Sequence, residues 1–209
     1  MTDLTIGDTG LIIDECKVRG VLRNQCAYVL ATTFWETART MKPVREYGSE
    51  AYLKKKRYYP YVGMGYVQLT WEVNYKRAAD ELGVDFLADP RKLLEAEHAV
   101  RTLVNGMVEG WFTGKRLSDY ITLQKSDFLN ARRIINGTDR NDEIAAIAED
   151  YDQALTEAGY GVTTERAKVA SPGYRDERET GARPPGPPGS HKTFWITLAA
   201  LFGRLFYRR

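Results

Sequence analysis

The tract "ASPGYRDERETGARPPGPPGSHK", residues 170–192, limits what this chain can fold into. It is so dense in Pro, Gly and charge that it cannot bury enough apolar surface to offset the entropy of ordering. A packed core must therefore come from what precedes it. Residues 1–160 of the 209 are enough for one domain of ordinary size. Residues 161–192 then read as a Pro/Gly-rich linker, leading to "TFWITLAALFGRLFYRR" at 193–209. That apolar stretch is shorter than the ~20 residues of a spanning helix. Wound as a helix, it groups Phe194, Trp195, Leu198, Leu201, Phe202, Leu205 and Phe206 on one face and Thr197, Arg204 and Arg208 on the other. Such a face suits contact with a membrane surface, and equally suits packing on the domain or on a partner.

Within residues 1–160 the apolar spacing is mostly helical. Leu22, Cys26, Val29, Leu30 and Thr33 recur at steps of three and four, predicting a helix over 21–37 that closes near Glu36. Residues 42–61, interrupted by Pro43 and Pro60, read as loop. "GYVQLT" alternates like a short strand, and "WEVNYKRAADELG" reads as a helix stopped by Gly83. Asp89 and Pro90 open the next predicted helix, which carries Leu93, Leu94, Val100, Leu103 and Val104. A shorter helix is expected up to Gly137, and a longer one from Asn141 or Asp142 to Gly159. Strand signals are too few for a large sheet, so the expected class is mainly α, a single domain with a short β element.

Charge and cysteine usage narrow the partners. A net charge of +2 is too weak for a dedicated nucleic-acid binder, and it suits an anionic cell-wall polymer. Cys16 and Cys26 are the only cysteines, so no disulfide framework is visible, and whether the two pair stays open. The N-terminus lacks the basic start and apolar run of a signal peptide, so a cytoplasmic origin is expected. His98 and His191 are too few and too far apart for a metal site, so neither metal nor cofactor is implied. A monomer is expected.

Two acids stand out. In "FWETARTMKPVRE", Glu36 follows two large aromatics at a helix end, where apolar neighbours and the negative end of the helix dipole both favour the protonated form. Glu46 lies on what reads as a polar loop beside Arg45, a wetter place where a carboxylate stays ionised. A general acid and a general base working near neutral pH need that contrast. By spacing alone, the favoured reading of Glu36 is an ordinary surface residue on a helix.

The next stretch, "YVGMGYVQLTWEVNY", adds Tyr61, Gly63, Gly65, Gln68, Leu69, Thr70, Asn74 and Tyr75 in an order that resembles the glycoside hydrolase family 19 enzymes, the chitinases and related phage-type lysozymes. The resemblance runs over residues 25–155. Trp35-Glu36-Thr37 matches that family's His-Glu-Thr motif, whose glutamate is the acid. Glu46 holds the place of the base, and Ile135-Asn136-Gly137 matches a later element. The resemblance implies a lysozyme-like fold and an inverting hydrolase of β-1,4-linked N-acetylhexosamine polymers. Peptidoglycan is preferred over chitin as the substrate, in an endolysin-like role. It also implies substrate contacts at Tyr61, Gly63, Gly65, Gln68, Thr70, Asn74 and Asn136.

Each of those positions makes chemical sense. The glycines would let backbone approach a sugar ring. The Gln68 and Asn136 amides suit hydroxyl and N-acetyl groups, and the Thr70 hydroxyl could help Glu46 hold a water. Gln68 and Asn74 have the alternative of satisfying buried backbone. The chain also departs from the family pattern. Trp35 replaces His, Met64 replaces an Arg between the two glycines, and "ART" replaces glycines after the motif. The Arg that the family carries on its last helix, holding the acidic pair, has no counterpart between Arg140 and Leu155. Two rivals remain: a helix-turn-helix DNA reader at "YKRAADELGVDFLADP", disfavoured because Pro90 breaks the would-be recognition helix, and a sugar-binding protein without turnover.

Overall fold

A computed structural model describes residues 2–161. The expected linker and apolar segment, 162–209, lie outside the described residues.

The element with the longest unbroken buried run is α2 (Arg23–Glu36). At its start the Gln25 side chain accepts from the Leu22 N–H at 3.2 Å and donates to the Ile121 carbonyl at 2.8 Å. Its middle, from Cys26 to Thr33, is buried on every side and not on one face alone, as befits a helix at the centre of a bundle. Around it pack α1 (Thr9–Val18), α5 (Ala96–Glu109), α7 (Phe128–Ala131) and α8 (Asn141–Glu157). Ile12, Leu30, Leu103 and Ile144, all fully buried, belong to this first apolar cluster. Each such side chain contributes about 1.5–3 kcal/mol of burial.

A second, smaller cluster holds Leu53, Tyr58, Tyr75, Phe86 and Leu93. It is built from α3 (Glu50–Leu53), α4 (Glu72–Leu82) and a 3-10 turn at Pro90–Leu94. The one sheet among the described residues pairs β1 (Val44–Arg45) with β2 (Met64–Gly65), antiparallel, Val44 opposite Gly65. A short helix, α6 (Leu117–Tyr120), completes the set. The described residues are thus mainly helical, as expected, and among them no helix is long and apolar enough to cross a membrane.

Several elements differ from the sequence expectation. The loop at 42–61 contains both β1 and α3. "GYVQLT" contributes only its first residue to β2; the chain then turns tightly so that Met64 bridges Leu69, with Gln68 at a φ of 54°. The helix expected after Asp89 is two, separated by an extended Glu95 (φ −76°, ψ 125°). The helix expected before Gly137 is likewise short and passes into a 3-10 turn at Arg132–Ile134. Gly83 ends α4 in the left-handed conformation as anticipated, at φ 66°.

Candidate active site

Glu36 is the last residue of α2, and the backbone turns sharply after it. Thr37 donates to the Thr33 carbonyl at 2.8 Å and accepts from the Met41 N–H at 3.0 Å, while Ala38, Arg39 and Met41 all take left-handed φ values of 50°, 69° and 52°. Two of those three residues lie in the "ART" stretch, where the resembled family places glycines, the residue that adopts this conformation at least cost. Phe34 and Trp35 pack against the first cluster, as the sequence suggests.

Purely apolar surroundings for Glu36 are not what the fold provides. Arg132, 1% exposed in its side chain, donates from Nη1 to Glu36 Oε1 at 2.7 Å, and the Glu36 side chain is 13% exposed. The same guanidinium donates from Nε to the Asp139 carbonyl at 3.1 Å. Arg132 thus holds Glu36 from the 3-10 turn preceding the last helix, whereas the resembled family carries its Arg on that helix, where it holds both acids. It stands four residues before Asn136, outside the Ile135-Asn136-Gly137 match, and the sequence did not single it out. Glu36 Oε2 takes no hydrogen bond from a described residue.

Glu46 is also placed differently from expectation. It is not on a wet loop: it is 8% exposed and continues the β ladder, its N–H donating to the Gly63 carbonyl at 2.6 Å. That bond draws the side chain inward. Its Oε1 accepts from the Tyr58 hydroxyl at 2.8 Å and its Oε2 from the Gly63 N–H at 3.1 Å. Both oxygens therefore act as acceptors. Tyr58, which the sequence did not single out, has its phenol pushed up in pKa by burial first and by the bond to Glu46 second, so it remains a donor throughout the neutral range.

The glycine motif serves this framework more than it faces a ligand. A Cβ on Gly63 would stand 2.7 Å from Gln68 Oε1, so the missing side chain makes room for Gln68 and not for a sugar. Gly65 is buried at φ 86°, with the Leu93 carbonyl 3.5 Å from where a Cβ would stand. Gln68 itself is 6% exposed, and its Nε2 donates to the Val44 carbonyl at 2.8 Å, tying the tight turn to β1. Its Oε1 is buried without a partner. Asn74 donates to the Thr70 carbonyl at 2.7 Å, at the start of α4. For Gln68 and Asn74, then, the backbone-satisfying alternative describes the bonds they make. Gly63 and Gly65, at which the resemblance implies substrate contact, pack here against Gln68 and against Leu93 and Ala99.

Thr70 donates to the Gln68 carbonyl at 2.8 Å, and the Met64–Leu69 bridge places it opposite Gly63, the residue that holds Glu46. Tyr61 is half-buried with its ring 5.3 Å from that of Tyr75. Asn136 is half-buried beside the Arg132 turn, its N–H donating to the Arg132 carbonyl at 2.9 Å. The candidate residues, with Arg132 and Tyr58 added by the structure, thus fall into two groups. Glu36, Arg132 and Asn136 gather on the first cluster, while Glu46, Tyr58, Tyr61, Gln68, Thr70 and Asn74 gather around the sheet and the second. A scan against protein-family models and a search of curated proteins each found no match to this chain.

Proposed function

We propose that the chain is an inverting glycoside hydrolase of β-1,4-linked N-acetylhexosamine polymers, peptidoglycan in preference to chitin, with Glu36 as general acid and Glu46 as general base. The observation that carries this reading is the unequal tethering of the two acids. Glu36 has one oxygen on Arg132 and the other without a described donor, so Oε2 is the oxygen available to deliver a proton to the leaving glycosidic oxygen. Glu46 has an acceptor role at both oxygens, set by Tyr58 and the Gly63 amide, which is the posture of a base.

Reaction is a single displacement. Glu46 takes a proton from water as that water bonds to the anomeric carbon, the glycosidic bond breaks, and its oxygen takes the proton of Glu36. The new reducing end carries inverted configuration, and exchange with solvent returns the proton from Glu46 to Glu36. Such a mechanism works with carboxyl groups roughly 6.5–9.5 Å apart, to leave room for the water. Arg132 orients the acid, and Tyr61, Thr70 and Asn136 are candidates for contact with water and substrate. Segment 193–209, proposed to reach a membrane surface during wall lysis, supports the endolysin-like role by composition alone.

The deciding experiment is parallel digestion of purified peptidoglycan and chitin oligomers by the wild type, Glu36→Gln and Glu46→Gln, reading reducing ends and the anomeric proton of the first product by NMR. Loss of one acid–base group lowers the rate by roughly 100- to 10,000-fold. Equal release by wild type and E36Q would remove Glu36 from the mechanism. A protein that sediments with the polymer and releases nothing would be a binder, and cleavage of chitin alone would reverse the substrate preference.

A further inference from the structure

Directly after Glu46 comes "YGSEAYLKKKRYY", residues 47–59, which the proposed chemistry leaves unused. It sets four successive cations, Lys54, Lys55, Lys56 and Arg57, against a single carboxylate, Glu50. The whole chain has a net charge of only +2, so this is a local concentration. Glu50 does not neutralise it. One of its oxygens accepts from Arg45 at 2.8 Å and the other from the Tyr59 hydroxyl at 2.9 Å. Lys54, Lys55 and Arg57 are exposed.

The segment is built and anchored. Ser49 caps α3 by accepting from the Tyr52 N–H at 3.2 Å, and Leu53 and Tyr58, 0% and 4% exposed, fix the turn in the second cluster. Tyr58 also donates to Glu46, so the backbone that carries the cations is tied to the proposed base. Flat rings accompany them. Tyr47 and Tyr52 are 70% and 50% exposed, and the Lys56 ammonium lies 4.2 Å from the centroid of the Tyr52 ring. Exposed phenol faces suit sugar rings, and a local concentration of cations suits a polyanion.

We infer that residues 47–57 dock an anionic glycan through its carboxylates, which makes the substrate class the peptide-bearing peptidoglycan strand and not neutral chitin. The inference rests on the glycosidase reading and deepens it by naming the charge that the substrate must carry. Charge complementarity favours it: chitin offers the tyrosines a stacking face but gives four cations nothing to pair with.

The test uses the full chain carrying E36Q, so that polymer is not consumed, and measures co-sedimentation with sacculi stripped of wall-linked phosphate polymers and with chitin. The triple reversal K54E/K55E/R57E is compared on the same background, and K54Q/K55Q/R57Q serves as a milder second set. An exposed charge pair is worth a factor of roughly 1.5–5, so three reversals lower affinity for sacculi about tenfold or more. The Gln set loses less, affinity for chitin does not change, and the loss shrinks at high salt or when sacculus carboxylates are amidated.

Unchanged binding to sacculi, or an equal loss on chitin, would overturn the inference. So would a loss confined to phosphatidylglycerol vesicles, which would assign the cations to a lipid surface. Failure of the catalytic reading has a different signature, since it leaves the wild type without turnover while the charge-dependent binding persists.

Discussion

Replacing Arg132 by methionine would leave Glu36 Oε1 without its buried donor. The guanidinium is 1% exposed and 2.7 Å from Glu36 Oε1, and the Glu36 side chain keeps 13% exposure. Breaking a buried pair by removing one partner costs about 3–5 kcal/mol. The small exposure of Glu36 admits some water, which places R132M near the lower end, about 3 kcal/mol. For a body of this size that lowers the melting temperature by roughly 6–12 °C.

Urea unfolding and thermal scans at pH 7 of the wild type, R132M, E36Q and the double variant form a cycle. In the double variant neither member of the pair is left without its partner, so its loss falls short of the sum of the single losses by about 1 kcal/mol or more. Arg23 supplies the control. It contacts Asp152 at 2.8 Å with side chains 41% and 24% exposed, so R23M costs less than about 1 kcal/mol. If R132M loses no more than R23M, or if the cycle is additive, Arg132 does not hold Glu36 in the manner argued.

Three further outcomes are expected. G63A introduces a Cβ 2.7 Å from Gln68 Oε1 and destabilises by about 1–3 kcal/mol, whereas G63A/Q68A recovers part of that loss, read from urea midpoints. A38G and R39G relieve left-handed φ values of 50° and 69°. Such strain costs roughly 1–2 kcal/mol per residue and glycine's extra unfolded freedom returns about 0.5–1, so each raises stability by up to about 1 kcal/mol. Burial raises the Tyr151 hydroxyl from 10.0 to about 12, and it raises Tyr66 and Tyr75 as well. Because these folded values lie above the unfolded one, their contribution is intact below pH 10 and is lost as pH climbs through about 12. A urea midpoint that stays flat between pH 9 and about 12 would contradict this.

Helix ends with a local chemical cause were readable in the sequence. Gly83 stops α4, and Asp89 accepts from the Arg91 N–H at 3.1 Å just where Pro90 opens the next turn. Elements decided by tertiary contact were not. The helix expected over residues 90–107 breaks at Glu95 because Leu93 belongs to the second cluster and Ala99 and Val100 to the first, so the chain must change direction between them. "GYVQLT" divides in the same way, with Tyr66 and Val67 in one cluster and Leu69 in the other. α1 was not anticipated; its N-cap, Asp8, offers no capping bond, because its carboxylate accepts from Tyr66 and Lys42 instead. In the candidate site the two acids could be picked out by type and neighbourhood. Arg132 could not, since nothing local announces a partner 96 residues away.

The mounting of Glu46 sets how the two halves of the site would fail under stress. Glu36 ends a helix of 14 residues, whereas Glu46 hangs from a ladder of two residues per strand, closed by its own bonds to Gly63. So short a ladder can fray in local openings far cheaper than global unfolding. The amide protons of Arg45, Glu46 and Gly63 should then exchange with deuterated solvent well before those in the centre of α2. On gentle heating, catalytic competence would fade while the helical circular-dichroism signal still stood.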